Sequence, residues 1–203
     1  MSARVLVAYA SKHGSTRALA QAVGGALHAC GCHVRVLPAG LVHSLVGFDA
    51  VVLGSAIYHD QWLWEGRRCL KRVHAELTER PVWLFSSGPI GGTPESEELI
   101  ACGCGPGAPL PPSLVPALHD IRMIDHAMFA GKVDETAGGL FERDVARGDW
   151  RDFRQVSDWG HAVGVRLRPP RPVRSGLPVV HVRGGLTVPA GHVDRRTGAW
   201  SPA

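Results

Sequence analysis

The sequence predicts an α/β fold: five parallel strands in one sheet, with helices covering both faces to make three layers. Three observations predict it. Short continuous apolar runs, of which Val5 to Ala10 is the first, have the composition of strands buried on both sides. These runs alternate five times with stretches of helical periodicity, the signature of a covered parallel sheet. The turns after the first, third and fourth strands are built from small and hydroxylated residues, and in such sheets ligands sit outside the carboxyl ends of the strands.

The elements follow in order. Val5–Ala10 is the first strand, and apolar residues at Leu19, Val23, Ala26, Leu27 and Cys30 place one core face on a helix over Arg17 to about Cys30. His33–Leu37 alternates as a strand, ended by Pro38, and Leu41–Phe48 connects it to a continuous apolar strand at Asp49–Leu53. Trp62 to about Glu79 has helical spacing, with Trp64, Leu70, Val73 and Leu77 as expected core positions. Pro81–Phe85 is the fourth strand. The Gly- and Pro-dense stretch Gly91–Pro112 then reads as a long loop, either a lid or partner surface or plain disorder. Ser113–His119 is a short helix, Ile121–Val133 contains the fifth strand, and about Asp149 to Leu167 is the closing helix, with Trp150, Phe153, Val156, Trp159 and Val163 at helical spacing.

The first turn, Ser11-Lys12-His13-Gly14-Ser15-Thr16, carries the most chemistry. A helix start leaves backbone N–H groups without partners and holds the positive end of the macrodipole, which suits an oxyanion such as a phosphate. Gly14 permits close approach, the hydroxyls of Ser11, Ser15 and Thr16 can donate, and Lys12 adds charge. Ser and Thr are also ordinary N-caps, so the turn alone supports either reading. The second turn runs from Gly54 through Ser55, Ala56, Ile57 and Tyr58 to Trp62, and the third holds Ser87, Gly88 and Pro89. Three such turns meeting on one edge make a ligand site. His59 and His126 are titratable groups beside them, but lone histidines are commonly surface or structural residues and neither is assigned a role.

Composition narrows the class. The 203 residues, 45% hydrophobic and 20% charged, suit one domain with a full core or one domain plus an appendage. No apolar run reaches membrane-span length, and the chain enters its first strand at Arg4 without a signal-peptide pattern, so a cytoplasmic location is expected. Five cysteines fit reduced thiols. Cys30-Gly-Cys32 and Cys102-Gly-Cys104 leave one residue between thiols, against the two to four of ordinary zinc pairs, so no metal is expected. Residues 165–203 carry seven Arg against one Asp, whereas residues 1–164 carry 15 Lys+Arg against 17 Asp+Glu. The basic character thus belongs to the tail. That tail, residues 168–203, opens with the extended linker Arg168-Pro-Pro-Arg-Pro172 and reads as a loosely ordered extension, partly disordered or with a small hairpin at Val179–Val188. Its arginines suit an anionic membrane surface or nucleic acid, but no interleaved aromatics point to specific nucleic-acid binding.

The motifs together resemble the flavodoxin family, over residues 4–167. The first turn is similar to that family's T/S-x-T-G-x-T phosphate turn, with Ser11, Gly14 and Thr16 matching and His13 standing where a threonine is usual. Gly54–Tyr58 with Trp62, Phe129–Asp134 and Arg147–Phe153 resemble in particular the flavodoxin-like branch that includes menaquinone-dependent protoporphyrinogen oxidase. The resemblance implies a flavodoxin-like fold over residues 1–167 and FMN as cofactor. Its phosphate would lie in the first turn, its ring beside Tyr58 and Trp62 and its polar edge near Ser87 and Gly88. It further implies an oxidoreductase acting between a small organic substrate and an acceptor such as a quinone. The alternatives are an electron carrier docking on redox proteins, or a binding module with a degenerate flavin site. Carriers of the family are usually strongly acidic, whereas this domain is nearly neutral, with Arg67, Arg68, Lys71 and Arg72 after the second turn.

Overall fold

Alternation along the strands sorts the core into two halves, because successive side chains leave a strand on opposite faces. The computed structural model describes residues 2–88, 94–133, 147–168, 191–193 and 200–202. Strand β1 (Arg4–Ala10) sends Val5 and Val7 to one side of the sheet and Leu6 and Ala8 to the other. Strand β3 (Ala50–Tyr58) divides Val52 from Val51 and Leu53, and β5 (Val82–Ser87) divides Trp83 and Phe85 from Val82 and Leu84. On the first side lie α1 (Ser15–Ala29), through Leu19, Val23 and Leu27, and α5 (Phe153–Leu167), through Val156, Trp159 and Val163. On the second lie α2 (Trp64–Arg72) and α3 (His74–Thr78), through Leu70 and Leu77. Three layers result.

With β2 (His33–Pro38) and β7 (Met123–Phe129), the five parallel strands run in the order β2-β1-β3-β5-β7. Two two-residue strands bring the sheet to seven. β4 (Gln61–Trp62) folds back antiparallel on the end of β3, and β6 (Gly105–Pro106) lies antiparallel to β7. A separate small pair joins β8 (Lys132–Val133) to β9 (Gly148–Asp149).

Three expectations need correction, the first being the closing helix, which begins at Phe153 rather than near Asp149 and leaves Phe153 exposed. The expected helix from Trp62 begins only at Trp64, since Gln61 and Trp62 are drawn into the hairpin, and it breaks at Val73 into α2 and α3. The expected loop Gly91–Pro112 contains α4 (Pro94–Gly103). Proline at the first helical position is favourable there, and the surrounding Gly and Pro obscure that pattern. Pro112–Leu118 is a 3₁₀ segment.

α5 is fixed at its start and along its length. Asp152 caps it, its Oδ1 accepting from Arg154 N at 2.8 Å and Gln155 N at 3.1 Å. Along its length, Gly160 and Gly164 let it lie close on α1: a Cβ at Gly160 would stand 2.8 Å from Ala26 Cβ, and one at Gly164 2.7 Å from Cys30 Sγ. The chain forms two compact units, Met1–Pro169 and Pro170–Ala203. In the second, Gly191–Val193 pairs antiparallel with Trp200–Pro202, and Val179–Val188 lies outside the described residues. Among the described residues no helix is long and apolar enough to cross a membrane, and no group of three or more His, Cys, Asp or Glu is placed to hold a metal.

Candidate functional site

The register of the sheet brings the three turns together. Ala10 pairs with Ser55, Ser55 with Ser86, Ala56 with Ser87, and Ser87 with Phe129, so β1, β3, β5 and β7 end along one line. The turns that follow β1, β3 and β5 therefore share the carboxyl edge. The first two also touch: Lys12 Nζ sits 5.4 Å from the centroid of the Tyr58 ring, within cation–π range.

In the first turn neither Ser15 nor Thr16 is the cap. Gly14 is the N-cap of α1, in the left-handed region at φ 84°, and its N–H donates to Ser11 Oγ at 3.0 Å. A side chain at position 14 would be strained by that φ, though a Cβ there would meet nothing within 4 Å. Lys12, His13 and Gly14 are exposed, and Ser11 and Ser15 are half-buried. Thr16 is fully buried, and Ser15 Oγ and Thr16 Oγ1 are both buried hydroxyl oxygens without a hydrogen-bond partner. Two such orphans side by side are unusual, because an unpaired buried hydroxyl costs about 1–3 kcal/mol. They stand beside the unpaired N–H groups of a helix start. An oxyanion bound there would accept from both sets, so the turn fits a phosphate.

The second turn is a tight hairpin. His59 and Asp60 link β3 to β4 with both φ values positive, 48° and 58°, as a two-residue type I′ turn requires. For residues with a Cβ that conformation costs roughly 1 kcal/mol each. Ala56, Ile57 and Tyr58 are half-buried on the rim just before it.

Two residues expected here to meet a ligand are used by the protein itself. Ser55 lies on the helix α2 side of the sheet; its Oγ donates to Ala56 O at 2.9 Å and accepts from Leu63 N at 3.0 Å, which fastens the start of α2. Trp62 was expected to lie against a planar ring, but in β4 its side chain turns into the core at 1% exposure. Trp64, expected in the core, is 58% exposed instead. In the third turn Ser87 is buried, and Gly88, at φ 132°, spends its N–H on Phe129 O at 2.9 Å, so that N–H is no free donor. Pro89 lies outside the described residues.

Beneath the edge runs a buried polar chain that the sequence does not advertise. Ser86, two residues past Leu84 on the same face, meets Trp62 and His126. His126 Nδ1 faces Ala108 O at 2.9 Å, and a carbonyl only accepts, so Nδ1 carries the proton. Nε2 then accepts from Ser86 Oγ at 2.8 Å, and Ser86 Oγ accepts from Trp62 Nε1 at 2.8 Å. Every group is satisfied with the imidazole neutral. Burial pushes the His126 pKa below the ordinary histidine value, partly opposed by the Ala108 carbonyl and Asp125. His126 is thus a structural residue. Its neighbour Asp125 points to the other face, accepting from Trp159 Nε1 at 2.8 Å and Gly107 N at 3.0 Å.

Comparison with known proteins agrees with this fold. The family model described as a flavodoxin domain matches residues 6–147. Among solved structures, the chain is similar to oxidised Flavodoxin 2 from Bacillus cereus, with a TM-score of 0.54 and 19% identity, covering 81% of this chain and 99% of that one. It is also similar to a flavodoxin from the domain Archaea (TM-score 0.51, 16% identity, 80% and 97% covered) and to two-electron reduced flavodoxin from Megasphaera elsdenii (0.51, 15%, 79% and 98%). At such identities the structural likeness speaks for the fold alone. No curated protein matches the chain. Flavodoxin domains are flavin-binding electron-transfer domains, and their flavin is FMN.

Proposed function

Because the chain belongs to the flavodoxin domain family, we propose that it is an FMN-dependent oxidoreductase passing electrons between a small organic substrate and an acceptor such as a quinone. The observation that carries the cofactor half is the pair of unpartnered hydroxyls, Ser15 Oγ and Thr16 Oγ1, at the start of α1. Bound FMN supplies reversible electron and hydride transfer, and the protein supplies position and environment. Ser15, Thr16 and the N–H groups of the first turn would hold the phosphate, with Lys12 adding charge. Tyr58, half-buried on the rim, would flank the ring, the role Trp62 is too deeply buried to fill.

The enzyme reading is favoured over a carrier by charge. Residues 1–164 are nearly neutral, and Arg67, Arg68 and Lys71 follow the second turn. The oxidase-like subtype rests on sequence motifs alone. Purified protein should be yellow, or should quench the fluorescence of added FMN. A colourless protein that leaves FMN fluorescence unchanged would refute the cofactor. After reduction with dithionite, a soluble quinone analogue should reoxidise the protein within the mixing time of a hand-mixed assay. A titration resolving two widely separated one-electron steps, with slow reoxidation by quinone, would establish the carrier instead.

A further inference from the structure

Helix α2 and the 3₁₀ segment border a half-open cavity of about 260 Å³ lined by Trp64, Arg67, Arg68, Lys71, Ser113 and Leu114. It adjoins the second turn, since Arg67 Nη1 donates to Gln61 Oε1 at 3.0 Å. Three cations line one small space, and among the described residues none of them forms an ion pair. Clustered like charges in a concave surface concentrate positive potential there. Arg67 Nε is moreover buried and has no acceptor, a costly arrangement for a guanidinium N–H. The apolar side is equally distinct. Trp64 is 58% exposed with the Arg68 guanidinium 4.7 Å from its ring centroid, and Leu114 is fully buried behind the cavity.

One kind of occupant answers all of these features. A carboxylate matches the guanidinium fork of Arg67 and takes the charge of Lys71, and a flat ring covers the Trp64 face. The volume lies just under the range of drug-sized pockets, which limits the ligand to one or two fused rings. We infer that this cavity is a binding site for a small aromatic carboxylate, its ring against Trp64 and its carboxylate on Arg67 and Lys71. The inference stands on the cavity alone and does not require FMN.

The test is titration of the full-length ¹⁵N-labelled protein with 2-naphthoate, 2-naphthamide and inorganic phosphate, followed at the Arg67 Nε–H and Trp64 Nε1–H resonances. Naphthoate should shift both saturably, and the neutral amide should bind about tenfold more weakly or worse. Combining R67Q with K71Q should weaken naphthoate by about tenfold or more, and W64A by about threefold or more. R35Q, a remote exposed site, should change nothing. No saturation by about 10 mM naphthoate would overturn the site. So would equal affinity for phosphate or the amide, or insensitivity to the Arg67, Lys71 and Trp64 changes.

Discussion

Replacing Thr16 with valine should improve the protein and impair the site at once. Thr16 is fully buried at the start of α1, and its Oγ1 has no partner. Valine keeps the branched shape, and its helix propensity is close to that of threonine. Removing an unpaired buried hydroxyl recovers the cost of desolvating it, about 1–2 kcal/mol. In a unit of this size each kcal/mol raises the melting temperature by about 2–4 °C, so T16V should melt several degrees higher without ligand. With a phosphate in the turn the sign reverses. A hydrogen bond to a charged group contributes about 1.5–3 kcal/mol, so FMN should bind about 10- to 100-fold more weakly. Riboflavin, which has no phosphate, should bind as before. Thermal melts of the ligand-free proteins and fluorescence titrations with both flavins measure these three quantities. A lower melting temperature with unchanged FMN affinity would show that the hydroxyl serves the fold, and equal losses for both flavins would show that the turn does not hold the phosphate.

Three further predictions concern the scaffold. His126 has a native pKa below its unfolded value, so its contribution to stability is intact above about pH 6.5 and is lost as pH falls from there toward the native value. Denaturant melts from pH 7.5 to 5.5 should therefore fall more steeply for the wild type than for H126Q; parallel slopes would contradict the neutral chain through Ser86 and Trp62. A Cβ on Gly54 would stand 2.0 Å from Phe85 Cζ, so G54A should cost about 3 kcal/mol by urea unfolding, and a loss below about 1 kcal/mol would mean that the Phe85 ring moves aside freely. Removing the Asp152 cap with D152A should cost about 1 kcal/mol in the same assay, with D152N recovering most of it; a neutral D152A would show that the cap is dispensable.

What could be read in advance was whatever depends on near neighbours along the chain. The strands announced themselves because both faces of each are apolar, and α1 and α5 because their core residues recur at helical spacing. The first turn was legible as small hydroxylated residues between a strand and a helix. Its decisive feature, two hydroxyls left without partners, depends on how α1 seats and cannot be read from residue type. The roles of Trp62 and Trp64 were interchanged because the hairpin takes Trp62 into a strand, where the side-chain period is two, and starts the helix two residues later. His126 meets Ser86 only because a register shift between Val82 and Trp83 sets β7 against β5 as it does. The cavity beside α2 needs a segment some fifty residues further on, a distance no local pattern spans.

The close seat of α5 on α1 ties the start of the chain to its residues 153–167. A nascent chain that stops short of that helix leaves the flank of α1 at Ala26 and Cys30 uncovered, although every residue of the first turn has already been made. Under the proposed function, uptake of the nucleotide would then double as a sign that residues 153–167 have been made and the unit has closed.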